Sequence, residues 1–259
     1  MNEYQRLRLR ARIFRHSAAR RLKERFKGSG WNFESEPHVE SRVDRLTVLF
    51  NGMEAESFAG RSVLEVGCGH GHLGAALEDL GAKVTSIDGR EDNIRQVRKK
   101  FPNRPAFTCD VGSADLEKYG PVDIVFAFGI LYHLPRPAEF LARCSAMSDV
   151  LLMEGAVSDI LEPEIVWVKE RGFYDQAIDG MGCRPSPSWV EENLRLAGYN
   201  QVIDLSPAGA PQKETSRSGV FYWPSTGSGI GREYGDKGLR KMWLATKGNV
   251  SFSDGRLIS

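Results

Sequence analysis

The sequence predicts an α/β fold, a mostly parallel sheet of seven strands with helices on both faces. Three observations carry that reading. Short apolar runs alternate with segments of helical periodicity from residue 61 onward, the pattern of parallel strands joined by crossover helices. A glycine-rich run, Gly67-Cys-Gly-His-Gly71, lies between the first strand and the first helix of that series. An acidic residue (Glu65, Asp88, Asp110) falls at the end of each of the first three strands, the edge at which open α/β sheets bind ligands.

The elements follow in order. Arg61–Val66 is a short apolar strand, and the helix after the glycine turn ends near Leu80, with Gly81 suited to the left-handed position beyond it. Lys83–Ile87 is the second strand and Glu91–Phe101 the second helix, followed by a third strand at Ala106–Cys109. Val122–Phe128 is a strongly apolar fourth strand that belongs in the sheet centre. Pro135 opens a helix through Met147, and Val150–Met153 is the fifth strand. Ser188-Trp-Val-Glu191 matches a capping box, predicting a helix that stops at Gly198. Val202–Leu205 and Met242–Thr246 complete the strands.

Outside this frame, residues 1–30 read as a basic N-terminal helix. Residues 6–27 hold ten Arg or Lys against one acid, Glu24, with Leu7, Ile13, Phe14, Leu22 and Phe26 interleaved. A capping helix with solvated arginines fits this pattern, as does contact with phosphates, an anionic membrane surface or a partner protein. The main domain spans 31–247, with insertions at 156–185 and 206–238 expected to shape an acceptor pocket. Residues 248–259 read as a flexible polar tail.

Bulk properties bound the function. The 259 residues are 41% hydrophobic and 27% charged with a net charge of +1, so the whole chain gives no global pull toward a polyanion, and no run approaches the ~18 apolar residues of a membrane span. The four cysteines, Cys68, Cys109, Cys144 and Cys183, are widely separated, without the paired spacing of a zinc site. No metal is expected, and a reduced, cytoplasmic protein is.

The glycine turn is spaced G-x-G-x-G, so His72 stands where a dinucleotide fingerprint has its third glycine. A diphosphate at a helix N-terminus disfavours a neighbouring carboxylate, yet Glu65 precedes the turn and suits a cationic group. Asp88, twenty-three residues later, can accept both hydroxyls of a ribose, and Asp110 an adenine amino group. This ordered set resembles the class I methyltransferases that use S-adenosylmethionine (SAM), over roughly residues 58–155. The resemblance implies a Rossmann-like sheet with an antiparallel last strand. It further implies that Glu65, Gly67, Cys68, Gly69 and Gly71 surround the methionine part of SAM, that Asp88 holds the ribose, that Asp110 with Val111 faces the adenine and Gly89 and Arg90 lie beside the ring, and that Phe128 also belongs to the cofactor site.

Phe128-Gly-Ile-Leu-Tyr-His-Leu134 follows the fourth strand, where the methyl group would be presented. It lacks the Asn/Asp-Pro-Pro-aromatic run of base amino-methylases and looks more like small-molecule O-methyltransferases and the tRNA wobble-uridine carboxymethyltransferases. His133 is the candidate general base, since histidine titrates near neutrality; holding the loop is its other role. Tyr132 is a candidate pocket wall or a packing residue. Glu154, ending the fifth strand, is a candidate base or acceptor-orienting group, or one half of an arginine salt bridge. Gly182-Cys-Arg-Pro-Ser-Pro-Ser188 together with Arg240-Lys-Met-Trp243 resembles methyltransferases of surface-glycan and natural-product pathways. The expected acceptor is therefore a hydroxyl of a sugar, glycan precursor or secondary metabolite. A tRNA-modifying enzyme and a non-catalytic SAM-binding partner subunit are the alternatives.

Overall fold

The computed structural model describes residues 36–170, 177, 178, 180–206, 221–222, 239–248, 251–253 and 256–258. The basic N-terminal segment and nearly all of the 206–238 insertion fall outside these residues, as do Phe173, Tyr174 and Asp175.

Helix α1 (Glu36–Gly52) leads into strand β1 (Ser62–Val66), α2 (His72–Glu78), β2 (Lys83–Asp88), α3 (Glu91–Lys100), β3 (Ala106–Thr108) and β4 (Ile124–Phe128). Helix α4 (Pro137–Met147) and β5 (Val150–Ala156) follow, then a hairpin of β6 (Ile165–Lys169) and β7 (Met181–Pro185), helix α5 (Pro187–Leu196) and β8 (Gln201–Asp204). The chain closes with β9 (Phe221–Tyr222), β10 (Leu239–Thr246) and a short ribbon, β11 (Ser251–Ser253) with β12 (Arg256–Ile258), inside the segment expected as a tail.

The sheet order is β3-β2-β1-β4-β5-β10-β8, with β9 paired beside β10. The pairs from β3 to β5 are parallel, and β10 runs antiparallel to both β5 and β8. This is the Rossmann-like sheet with the antiparallel last strand that the sequence implied. The alternation along β4 explains its layers. Ile124, Phe126 and Phe128 enter one core cluster with Val43, Leu46 and Leu49 of α1, whereas Val125 and Ala127 enter the other with Phe140, Leu141 and Trp243. A strand buried on both faces takes this two-sided apolar pattern.

Two element starts differ from the sequence reading. The α4 helix begins at Pro137, with Pro137 in its first turn, while Pro135 stays outside. The cap of α5 is Ser186, whose hydroxyl accepts from the Trp189 N–H, and Ser188 instead donates to the Leu161 carbonyl. Pro187 explains the shift: a proline at the first helical position leaves the residue before it as the cap.

The β6–β7 hairpin seats on the short turn Leu131–His133 that follows β4. Approach there is close: a Cβ on Gly182 would come within 2.6 Å of the Tyr132 carbonyl oxygen. The Cys183 thiol faces the Leu131 carbonyl at 3.7 Å. The fold thereby delivers residues from the far end of the insertion to the loop beyond β4.

Candidate functional site

The glycine turn is built as its spacing required. Gly67, Gly69 and Gly71 have φ of 70°, 52° and 74°, a left-handed region that costs other residues roughly 1–2 kcal/mol each. Asp88, at the end of β2, clasps the turn: its Oδ2 accepts from the Gly69 N–H at 2.8 Å, and its Oδ1 accepts from the Arg90 N–H and from Asn93 Nδ2. Burial pushes the Asp88 carboxyl above its ordinary value, and these donors oppose that rise. A carboxylate has about four acceptor positions, so three donors leave capacity for a further hydroxyl.

Glu65 is corrected. It does not face the open turn: Oε1 accepts from the Gly74 N–H at 2.7 Å and Oε2 from the Ser86 hydroxyl at 2.6 Å, with Arg104 Nη1 3.7 Å away. Its buried carboxylate ties β1 to α2 and β2, and burial raises its pKa despite Arg104 and those hydrogen bonds. Arg104 holds the same corner from outside. It donates to the Gly71 carbonyl at 2.7 Å, forms two bonds to Glu78, and stacks on Phe101. Neither Asn93 nor Arg104 stood out in the sequence, because each lies in a run of unremarkable polar residues and acts through a fold-level approach.

Asp110 is exposed just beyond β3, its Oδ1 accepting from the Gly112 N–H. Gly89 is approached by Ile178 so closely that a Cβ there would collide with it; the insertion therefore reaches the expected adenosine side. Cys68 is partly buried, its N–H donating to the Ile87 carbonyl. Arg90 pairs at the surface with Asp92. The Val111 side chain packs in the core, and Phe128 stacks on Phe126 with ring centroids 4.0 Å apart, on the α1 side.

The second half of the site lies beyond β4 and β5. His133 Nδ1 is 2.8 and 2.9 Å from the two carboxylate oxygens of Glu170. A carboxylate only accepts, so Nδ1 carries the hydrogen, and in the neutral ring Nε2 is the nitrogen that presents a lone pair. Glu170 is buried, and it also accepts from the Ala177 N–H and lies 3.8 Å from Arg184. Sequence reading missed Glu170, since it lies thirty-seven residues from His133 and only the hairpin brings the two together.

Tyr132 is a wall. Its ring is 4.2 Å from that of His133, and the guanidinium carbons of Arg184 and Arg240 lie 5.2 and 5.1 Å from its centroid. Glu154 is corrected as a base: it is fully buried, bonded to Arg240 through both oxygens and 3.5 Å from Arg45. Burial alone would raise its pKa, but Arg240 and Arg45 outweigh that and hold it below the ordinary glutamate value. It is the salt-bridge partner among the readings its position allowed. Among the described residues, no group of three potential ligands is arranged for a metal, and no helix is long and apolar enough to cross a membrane.

Comparison with known proteins bears on the family and the fold. The family model described as a methyltransferase domain matches residues 64–149. The chain is 33% identical over 199 residues to the ubiquinone biosynthesis O-methyltransferase of Caulobacter vibrioides, covering 72% of this chain and 71% of that one. It is 28% identical over 196 residues to a tRNA U34 carboxymethyltransferase of Pseudomonas aeruginosa, covering 69% of this chain and 52% of that protein; the chain thus spans about half the length of the carboxymethyltransferases it matches. Among solved structures, the N-terminal domain of EvdMO1, crystallised with S-adenosylhomocysteine (SAH) and D-fucose, superposes with a TM-score of 0.60 at 18% identity, covering 90% of this chain and 96% of that one, a likeness of fold. The chain belongs to the class I SAM-dependent methyltransferases. The cofactor of that family is SAM, and the donor set found here, a left-handed glycine turn clasped by Asp88 with Asp110 exposed beyond β3, fits an adenosyl amino acid.

Proposed function

We propose that this chain transfers the methyl group of SAM to a hydroxyl of a small-molecule acceptor, with His133 as general base. SAM, when bound, supplies an electrophilic methyl on a sulfonium. Gly67, Gly69 and Gly71 give it a backbone cradle, Asp88 accepts from the ribose, and Asp110 with the main chain of Gly89 and Val111 borders the adenine. The observation that carries the reading is the Glu170–His133 pair. Glu170 fixes the ring orientation and tautomer, so that Nε2 can take the proton of a hydroxyl as that oxygen attacks in line. The similarity to a protein named as an O-methyltransferase supports a hydroxyl acceptor.

The test is SAH formation from SAM on a panel of hydroxylated aromatics and sugars. His133→Ala should lower turnover by about 10²–10³-fold and Glu170→Gln by about tenfold, both with SAH affinity within about twofold of the parent. Unchanged turnover in His133→Ala would reduce the histidine to a loop support.

A second reading, modification of tRNA with SAM or a carboxylated relative, is favoured by the matches to proteins named tRNA U34 carboxymethyltransferase and by the basic residues 6–27. It predicts tRNA binding that weakens by at least about tenfold between 50 and 200 mM salt. Binding too weak to detect at the lower salt would remove it.

A further inference from the structure

Ile178 is the point at which the insertion touches the expected adenosine position. A Cβ built on Gly89 would collide with Ile178 Cδ1, and the Cys109 carbonyl oxygen lies 3.7 Å from the same point. Gly89 lacks the left-handed backbone of Gly67, Gly69 and Gly71, so what a side chain there would violate is the close approach of Ile178. Ile178 thus sits over the ends of β2 and β3, against the residue that follows Asp88 and near the one that precedes Asp110. It is 60% exposed: its tip meets Gly89 while more than half of its surface stays open. An apolar surface laid on it would gain from burial, and the flat face of a purine held between Asp88 and Asp110 is such a surface.

The backbone beside Ile178 is fastened to Glu170. The Ala177 N–H donates to Glu170 Oε2 at 2.9 Å, the Gly180 N–H to the Ala177 carbonyl at 3.2 Å, and the Glu170 N–H to the Gly180 carbonyl at 2.9 Å. Three hydrogen bonds therefore tie the residues on either side of Ile178 to one another and to one carboxylate, with Gly180 turning at φ of 66°. That carboxylate is itself fixed. It is buried, it meets His133 Nδ1 at 2.8 and 2.9 Å, and it packs so closely on Gly182 that a Cβ there would collide with Oε1. The candidate base and the residue over the adenosine position thus hang on the same side chain.

We propose that Ile178 is a cofactor-binding residue, an apolar wall supplied by the insertion against which the adenine packs, and that Glu170 positions it through the Ala177 amide. Glu170 is then a positioning residue for both sides of the cleft, turning His133 toward the acceptor and Ile178 toward the nucleoside. The two tasks make different demands. The Ala177 N–H needs only an acceptor oxygen, which a glutamine also supplies, whereas the His133 Nδ1–H faces two oxygens of a charged group. The proposal rests on the placement of SAM given above, and its test reads contact and binding without turnover.

Protein carrying carbon-13 in its isoleucine δ1 methyls, saturated with SAH, should show a nuclear Overhauser contact between the Ile178 methyl and the adenine ring protons, the methyl signal being assigned by its loss in Ile178→Val. Calorimetric affinity for SAH should fall about five- to twentyfold in Ile178→Ala. Ala177→Pro, which removes the N–H donor and leaves the Glu170–His133 pair in place, should lower it by about fivefold or more. Glu170→Ala should do the same, and Glu170→Gln should restore it to within about twofold of the parent. Thermal unfolding of each variant near the parent's midpoint would show that the fold persists; should Glu170→Ala unfold, Ala177→Pro decides the positioning. No methyl–adenine contact in the SAH-loaded parent, or parent-like affinity in Ile178→Ala, would overturn the wall. Parent-like affinity in Ala177→Pro, or a Glu170→Gln loss as large as that of Glu170→Ala, would overturn the role of Glu170. Failure of the parent to bind SAH would instead strike the methyltransferase reading itself, so the two failures are distinguishable.

Discussion

Glu65 on β1 and Glu154 on β5 are both buried carboxylates near the ligand-binding edge of one sheet, yet their surroundings move them in opposite directions. Around Glu65, burial dominates and raises the pKa, because its partners are a backbone N–H, a serine and an arginine 3.7 Å away. Around Glu154, two arginines outweigh burial and lower it. The half built around the glycine turn is held by backbone amides, glycines and hydrogen bonds, with Arg104 alone adding ion pairs to Glu78 and Glu65. The acceptor half is held by ion pairs between residues brought from 45, 154, 170, 184 and 240. The first arrangement tolerates the loss of a charge, whereas the second depends on charge.

That difference can be broken by charge removal. Glu154→Gln strands the buried Arg240 guanidinium and the half-buried one of Arg45, and should cost about 3–5 kcal/mol at pH 7, measured by urea unfolding. Glu65→Gln keeps an acceptor for Gly74 and a donor toward Ser86, so its cost should stay within about 1 kcal/mol. The pH dependences should also diverge. The folded pKa of Glu154 lies below its unfolded value of 4.5, so its stabilisation is present above 4.5 and is lost as pH falls through the lower, folded value. The gap between parent and Glu154→Gln should therefore narrow in strong acid. For Glu65 the folded pKa is raised; its charged form costs stability at neutral pH, and that cost is relieved as pH falls through the folded value. Equal losses in the two variants at pH 7 would erase the distinction.

A smaller effect sharpens the same contrast at the end of the hairpin. The Ser186 hydroxyl accepts from the N–H groups of Glu164 and Trp189 and donates to the Glu162 carbonyl, fastening the insertion to α5. Ser186→Ala should cost about 1–2 kcal/mol. Ser188→Ala, at an exposed bond to Leu161, should cost no more than about 0.5 kcal/mol. The reverse order would restore the capping box expected from Ser188 and Glu191.

The same division explains what could be read from the sequence. Strand–helix alternation, the glycine turn and Asp88 were legible because each depends on short-range patterns: period-2 burial, left-handed glycines, and a carboxylate ending a strand. The antiparallel last strand of the sheet came from resemblance carried by those same motifs, and the order of its strands was not read from the sequence. Glu170 was illegible because nothing in Val168-Lys-Glu170 distinguishes it from a solvated surface run; only the antiparallel register of β6 with β7, seated on the 131–133 turn, brings it to His133. Glu154 was legible as a position but not as a role, because its partners Arg45 and Arg240 are set by α1 and by β10. Ser186 was overlooked because Ser188 completes the more familiar motif two residues later.

The central claim is that cofactor binding and acceptor chemistry reside in separate halves of one cleft. Calorimetric titration with SAH of the parent, Asp88→Ala and His133→Ala proteins tests it most directly. The account predicts tight binding by the parent, a loss of about a hundredfold or more in Asp88→Ala from removal of a charged hydrogen-bonding partner, and affinity within about twofold of the parent in His133→Ala. No uptake of SAH by the parent, or parent-like affinity in Asp88→Ala, would contradict it.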